Sequence, residues 1–152
     1  MAFGKSGAVL ACAASALFAA TAPTTAQAAP ARPATSATIF SCTTASGKLV
    51  RISRSGTLYR YVYGRPGAAP DLTFTVPKSA TSVHDGSEDI GSGSWWMTHE
   101  VTLRFNGTSY TGWWSYNRAN SEEGGGIRVE KGPKTLAETA CASEVTIDLN
   151  AY

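Results

Sequence analysis

The sequence predicts an all-β domain, a small antiparallel barrel or sandwich of about seven to nine strands held by one disulfide. Three observations carry that expectation. Asn106-Gly107 sits between two runs that alternate apolar and polar residues, and a two-residue hairpin turn needs positive φ at both central positions, which Asn and Gly tolerate best. Alternation with period two recurs along the rest of the body, and no segment after the N-terminal apolar stretch sustains a helical period. Cys42 and Cys141 stand at opposite ends of that body, placed to tie a first strand to a late one.

The N-terminus reads as an address. Met1 to Lys5 is short and basic, residues 7–22 are nearly all small or apolar, and Pro23 is followed by Ala26-Gln27-Ala28. This order is that of a secretory signal peptide with an A-x-A cleavage site, removed after Ala28. The expected organisation is a signal peptide over 1–28, a flexible Pro-rich leader over 29–37 and one β domain over 38–152. The location it implies is periplasmic or secreted. In that oxidising setting Cys42 and Cys141 pair as a structural disulfide; Cys12 leaves with the signal.

Each strand has its own pattern. Thr38 to Thr43 is β-rich, and Lys48 to Ser53 alternates through Val50 and Ile52. Arg54-Ser55-Gly56 turns the chain into Thr57–Tyr63, with Tyr59, Tyr61 and Tyr63 on one face. Leu72, Phe74 and Val76 alternate until Pro77 ends that strand. Across Asn106-Gly107, Phe105 pairs with Thr108, Leu103 with Tyr110, Val101 with Gly112 and His99 with Trp114. One face then carries Val101, Leu103, Phe105, Tyr110, Trp114 and Tyr116, the apolar inward set of a half-buried sheet. Ile127 and Val129 precede a turn at Lys131-Gly132-Pro133, Lys134 to Cys141 returns, and Val145, Ile147 and Leu149 close the chain. Two polar, glycine-containing stretches, 79–94 and 117–126, read as long loops.

The chain has 152 residues, 43% hydrophobic and 16% charged, with a formal net charge of +2. That charge is too small for a nucleic-acid footprint. No apolar run reaches the ~20 residues of a spanning helix, so no membrane contact is expected after signal cleavage. His84 and His99 are the only histidines, too few for a zinc site once the cysteines are paired. His84, Asp85, Glu88 and Asp89 lack the spacing of a calcium loop. His99 and Glu100 are neighbours on a strand and point to opposite faces. There is no nucleophile elbow, no P-loop and no dinucleotide fingerprint. The sequence therefore assigns no catalytic residue, no metal and no cofactor.

Aromatic residues are the better lead. Trp95-Trp96 and Trp113-Trp114 are two doublets on one hairpin, and each places one ring outward. The outward pair is Trp96 and Trp113, on the face of Glu100 and Thr111, where rings give a partner apolar area at little entropic cost. Arg51 and Arg60 fall on one face of the first hairpin. Like charges directly opposite are unfavourable, so the register differs or an anion or acid lies between them.

The strings F-S-C-T-T-A-S-G-K-L-V (40–50), Y-R-Y-V-Y-G (59–64), F-N-G-T-S-Y (105–110) and G-G-I-R-V-E-K-G (125–132), with Cys141, resemble a group of small exported proteobacterial β proteins of uncharacterised function. Ser55-Gly56-Thr57-Leu58-Tyr59 also resembles the S-G-x-x-Y loop of the periplasmic and membrane-bound inhibitors of C-type lysozyme, although Lys131-Gly132 lacks the tryptophan those inhibitors place before it. That second resemblance implies Ser55 and Tyr59 as partner contacts. Together these readings give an exported, non-enzymatic binding protein for a protein or glycan partner, with inhibition of a secreted or host hydrolase as one form. The alternatives are a carbohydrate- or cell-wall-binding module using Trp96 and Trp113, and a small secreted hydrolase or nuclease using its histidines.

Overall fold

Alternation becomes two antiparallel sheets in the computed structural model, which describes residues 35–91 and 93–152. The signal peptide at 1–28 and the leader as far as residue 34 lie outside the described residues. The strands are β1 (Ala37–Thr43), β2 (Leu49–Ser55), β3 (Leu58–Gly64), β4 (Leu72–Pro77), β5 (Thr81–Gly91), β6 (Ser94–Phe105), β7 (Thr108–Asn117), β8 (Glu122–Lys131), β9 (Lys134–Ala140) and β10 (Thr146–Ile147). One five-stranded sheet has the order β10-β1-β2-β3-β4 and the other β5-β6-β7-β8-β9. Cys42 and Cys141 form the disulfide, joining β1 of the first sheet to the end of β9 in the second.

The central hairpin has the register its turn implies. Phe105 faces Thr108, Leu103 faces Tyr110 and His99 faces Trp114, with Asn106 and Gly107 at φ 50° and 72°. Period two then sends Val101 and Leu103 into the core opposite Val50, Ile52, Tyr59 and Tyr61. Phe74 stacks on Phe105 at 4.5 Å and meets Tyr110 at 4.8 Å, linking the two sheets. Gly112 serves the same contact from the backbone side: a Cβ there would stand 2.7 Å from the Phe40 ring.

Three expectations need correction. Residues 79–94 are not a loop; Thr81–Gly91 is strand β5, paired with β6 from Thr81↔Leu103 to Gly91↔Ser94. Residues 117–126 are mostly strand, since β7 runs to Asn117 and β8 starts at Glu122. The ladder of an already formed neighbour overrides the low strand propensity of Ser, Gly, Asp and Glu. The C-terminal alternation yields only a two-residue strand and then a 3-10 turn at Leu149–Ala151.

The two sheets differ in strand length. β1 to β4 run 6–7 residues, while β5 to β8 run 10–12. At ~3.3 Å per residue the strands β5 to β8 are roughly 10–20 Å longer than those of the first sheet. The inward-facing side chains at the Trp95 end of β6 and β7 are only partly covered by the first sheet, and this positions the site.

Burial, reinforced by Tyr110 and Tyr63, pushes the Tyr61 phenol well above its ordinary value. The folded state therefore keeps this proton after the unfolded chain has released it, near pH ~10. The stabilisation is complete below that pH and is lost above it, with a slope approaching about 1.4 kcal/mol per pH unit. Urea unfolding between pH 9 and 11 should show this decline, and Tyr61→Phe should flatten it; an unchanged slope would remove Tyr61 as its source.

Candidate functional site

The inward parity of β6 places Trp95, Met97, His99, Val101, Leu103 and Phe105 on one face. Val101 and Leu103 are buried under the first sheet, whereas Met97 and His99 are only half-buried and Trp95 is 38% exposed. Pairing continues the patch sideways. Asp85 stands opposite His99, Ser87 opposite Met97 and Asp89 opposite Trp95. On the other side Trp114 and Tyr116 face His99 and Met97, and Glu123 faces Tyr116.

These side chains touch. His99 Nε2 lies 3.1 Å from Asp85 Oδ1, and its ring is 5.0 Å from that of Trp114. Trp114 Nε1–H donates to a Glu123 carboxylate oxygen at 2.5 Å, and the Trp114 and Tyr116 rings are parallel within 7° at 6.3 Å. The Arg118 guanidinium sits 3.9 Å over the Trp95 ring, held there by its backbone N–H donating to the Trp95 carbonyl at 3.1 Å. A groove of about 710 Å³ runs between Asp85, Ser87, Asp89, Trp95, Met97 and His99. His99 also walls a second hollow of about 250 Å³, with Trp114, Val145 and Ile147.

Charge is divided between the two halves of the described domain. Residues 35–80 hold six Lys or Arg and one acid, while residues 81–152 hold five Lys or Arg and ten acids. The groove therefore offers aromatic faces beside carboxylates, a pairing suited to cations. His99 is also an imidazole on a carboxylate, but among the described residues no Ser, Thr or Cys side chain is hydrogen-bonded to it. The arrangement supplies stacking and hydrogen bonding.

The residues singled out from the sequence lie elsewhere. Trp113 and Glu100 are directly opposite each other on the outer face of β6 and β7, with Trp96 further along that face. All three are half-buried. Trp113 lies across glycines: a Cβ at Gly126 would meet its indole at 3.1 Å, so part of the ring is spent covering β8. Glu100 accepts from Arg128 Nη2 at 3.0 Å. Ser55 ends β2 on the other sheet and is half-buried. Tyr59 has 0% exposure and packs 5.3 Å from the Tyr152 ring. Its place in the inward tyrosine stripe leaves no surface for a partner, which corrects the contact role that the S-G-x-x-Y string implies. Asp85, Asp89, Trp95, His99, Trp114 and Tyr116 were not foreseen as a group. The nine-residue arms flanking Asn106-Gly107, longer than the other strand-like runs, are the signal that points to them. No protein-family model, curated protein or solved structure matches this chain.

Proposed function

We propose that this is an exported binding domain, a two-sheet sandwich that takes a cationic segment of a protein partner along the uncovered aromatic face of β5 to β8. The observation that carries the reading is Arg118 stacked on Trp95 beside Asp85 and Asp89, which are exposed. The domain already holds one guanidinium of its own in this setting, and cation–π contacts contribute about 0.5–2 kcal/mol each according to how far they are desolvated. Export rests on the N-terminal address, and a disulfide between β1 and β9 is compatible with it. Inhibition of a secreted or host hydrolase is one form of this function, with the contact made through the groove and not through the first hairpin. The parallel Trp114 and Tyr116 rings favour a second reading, a carbohydrate stacked on them.

The test is a tryptophan-fluorescence titration of the mature protein with an arginine-rich nonapeptide, its glutamate-substituted counterpart and a chitin oligosaccharide. Saturable binding of the basic peptide alone is expected, weakened about tenfold or more in Asp85→Asn/Asp89→Asn, for two lost charge contacts of ~0.7 kcal/mol or more each. Unchanged affinity in that variant would overturn the groove. Saturation by the oligosaccharide alone, lost in Trp114→Ala, would replace the protein partner with a glycan.

A further inference from the structure

We infer a second binding site, on the outer face of the β2-β3-β4 ladder, for the sulfate or phosphate ester groups of an anionic polysaccharide. Outward parity there selects Arg51, Ser53 and Ser55 from β2, Arg60 between the apolar Leu58 and Val62 from β3, and Thr73 and Thr75 from β4. Arg60 stands opposite both Ser53 and Thr75. Arg51 stands opposite Val62, so the two arginines are diagonal neighbours on adjacent strands, roughly 7–8 Å apart. This register resolves the puzzle of two cations on one hairpin face: they are offset, and both are exposed.

Among the described residues nothing neutralises them: no carboxylate lies within ion-pair distance of Arg51 or Arg60. Asp71, the one acid of residues 35–80, is already bonded to Lys48 at 2.9 Å. Arg60 uses one donor internally, Nε to Thr73 Oγ1 at 3.4 Å, out of the five a guanidinium carries. Beside it a hollow of about 350 Å³ is lined by Ser36, Ser53, Ser55, Leu58, Arg60 and Thr75. Guanidinium forks flanked by hydroxyls match tetrahedral oxyanions. The aromatic residues of β2 to β4, Tyr59, Tyr61, Tyr63 and Phe74, all belong to the inward set packed in or against the core. The outer face therefore has no ring on which a base could stack, and stacking is what single-stranded nucleic acid needs. The ester groups of a glycan fit it better.

The mature protein should be retained by dextran sulfate or dextran phosphate and not by neutral dextran, with affinity falling as salt rises. Arg51→Gln/Arg60→Gln should weaken retention tenfold or more. Lys131→Gln/Lys134→Gln, which removes two exposed cations at the β8–β9 turn, should leave it unchanged, as should the groove variant Trp114→Ala. Thermal melts check that each variant is folded, and comparing the two dextran esters identifies which oxyanion is preferred. Equal loss in the two charge variants would reduce the site to general attraction and overturn it. So would unaltered retention of Arg51→Gln/Arg60→Gln, or tighter binding of a single-stranded oligonucleotide than of either dextran ester.

Discussion

Removing the disulfide is expected to lower the stability of the domain by about 4–5 kcal/mol. Cys42 and Cys141 are separated by 99 positions, so the bond closes a loop that spans nearly the whole folded body. In the chain-entropy account the benefit grows with the logarithm of loop length and approaches 4.7 kcal/mol near ~100 residues. Native strain only subtracts from that figure. The bond also lies across the two sheets, from β1 to the residue after β9. Close backbone contacts surround it: Cys141 N–H donates to the Gly125 carbonyl at 2.8 Å and Ala142 N–H to the Thr43 carbonyl at 2.7 Å. The disulfide thus holds a seam that is already hydrogen-bonded, and its loss should act chiefly on the unfolded state. Urea unfolding of the oxidised protein, the reduced protein and Cys42→Ala/Cys141→Ala tests this. The midpoint should fall sharply, with the reduced protein and the variant close together. A loss under about 1 kcal/mol would mean that the denatured chain is already restrained by other contacts.

Most of the architecture was legible because it depends on local signals. Asn106-Gly107 forces a two-residue turn, and that turn sets every pair from Phe105↔Thr108 to Trp96↔Asn117. The spacing of Tyr59, Tyr61 and Tyr63 gave the inward face of β3, and the first two are among the largest buried side chains. Strand β5 was illegible because His84-Asp85-Gly86-Ser87-Glu88-Asp89 has no apolar alternation. Its strand character comes from pairing with β6, a non-local cause. The site was illegible for a related reason. Parity correctly assigns Trp114 and Tyr116 to the inward face, but parity does not say how far the opposing sheet extends. Where β1 to β4 stop, inward ceases to mean buried, and the apolar face of β6 and β7 becomes the accessible one. On the outer face the reverse holds, since Trp113 faces outward yet is partly occupied by the glycines of β8. Exposure in this fold is decided by strand length and by neighbouring glycines, neither of which period-two reading contains.

Phe74→Ala is expected to destabilise the domain by about 3–5 kcal/mol, the range for truncating a buried aromatic side chain. Phe74 is 7% exposed, and its ring is enclosed on three sides, by Phe105 at 4.5 Å, Tyr110 at 4.8 Å and Tyr61 at 5.0 Å. Two of those neighbours belong to the opposite sheet, so the cavity would open between the sheets where only rigid rings could collapse into it. Phe74→Leu keeps much of the volume and should recover a large part of the loss. A double-mutant cycle with Phe105→Ala should show coupling of about 0.5–1.5 kcal/mol from the parallel stack. The position matters as much as the contact. The disulfide fastens the sheets at β1 and β9, and Phe74 fastens them at β4 and β6, three ladder spacings or about 14 Å away across the first sheet. Effects at that distance add, so Phe74→Ala in the reduced protein should lose about 7–10 kcal/mol, comparable with the whole ~5–15 kcal/mol of a typical domain. That protein is expected to be unfolded at 25 °C by near-ultraviolet circular dichroism, while either change alone leaves it folded. If the doubly altered protein keeps its native spectrum, the two fastenings are not independent, and the central rows of Val50, Ile52, Val101 and Leu103 hold the sheets together without them.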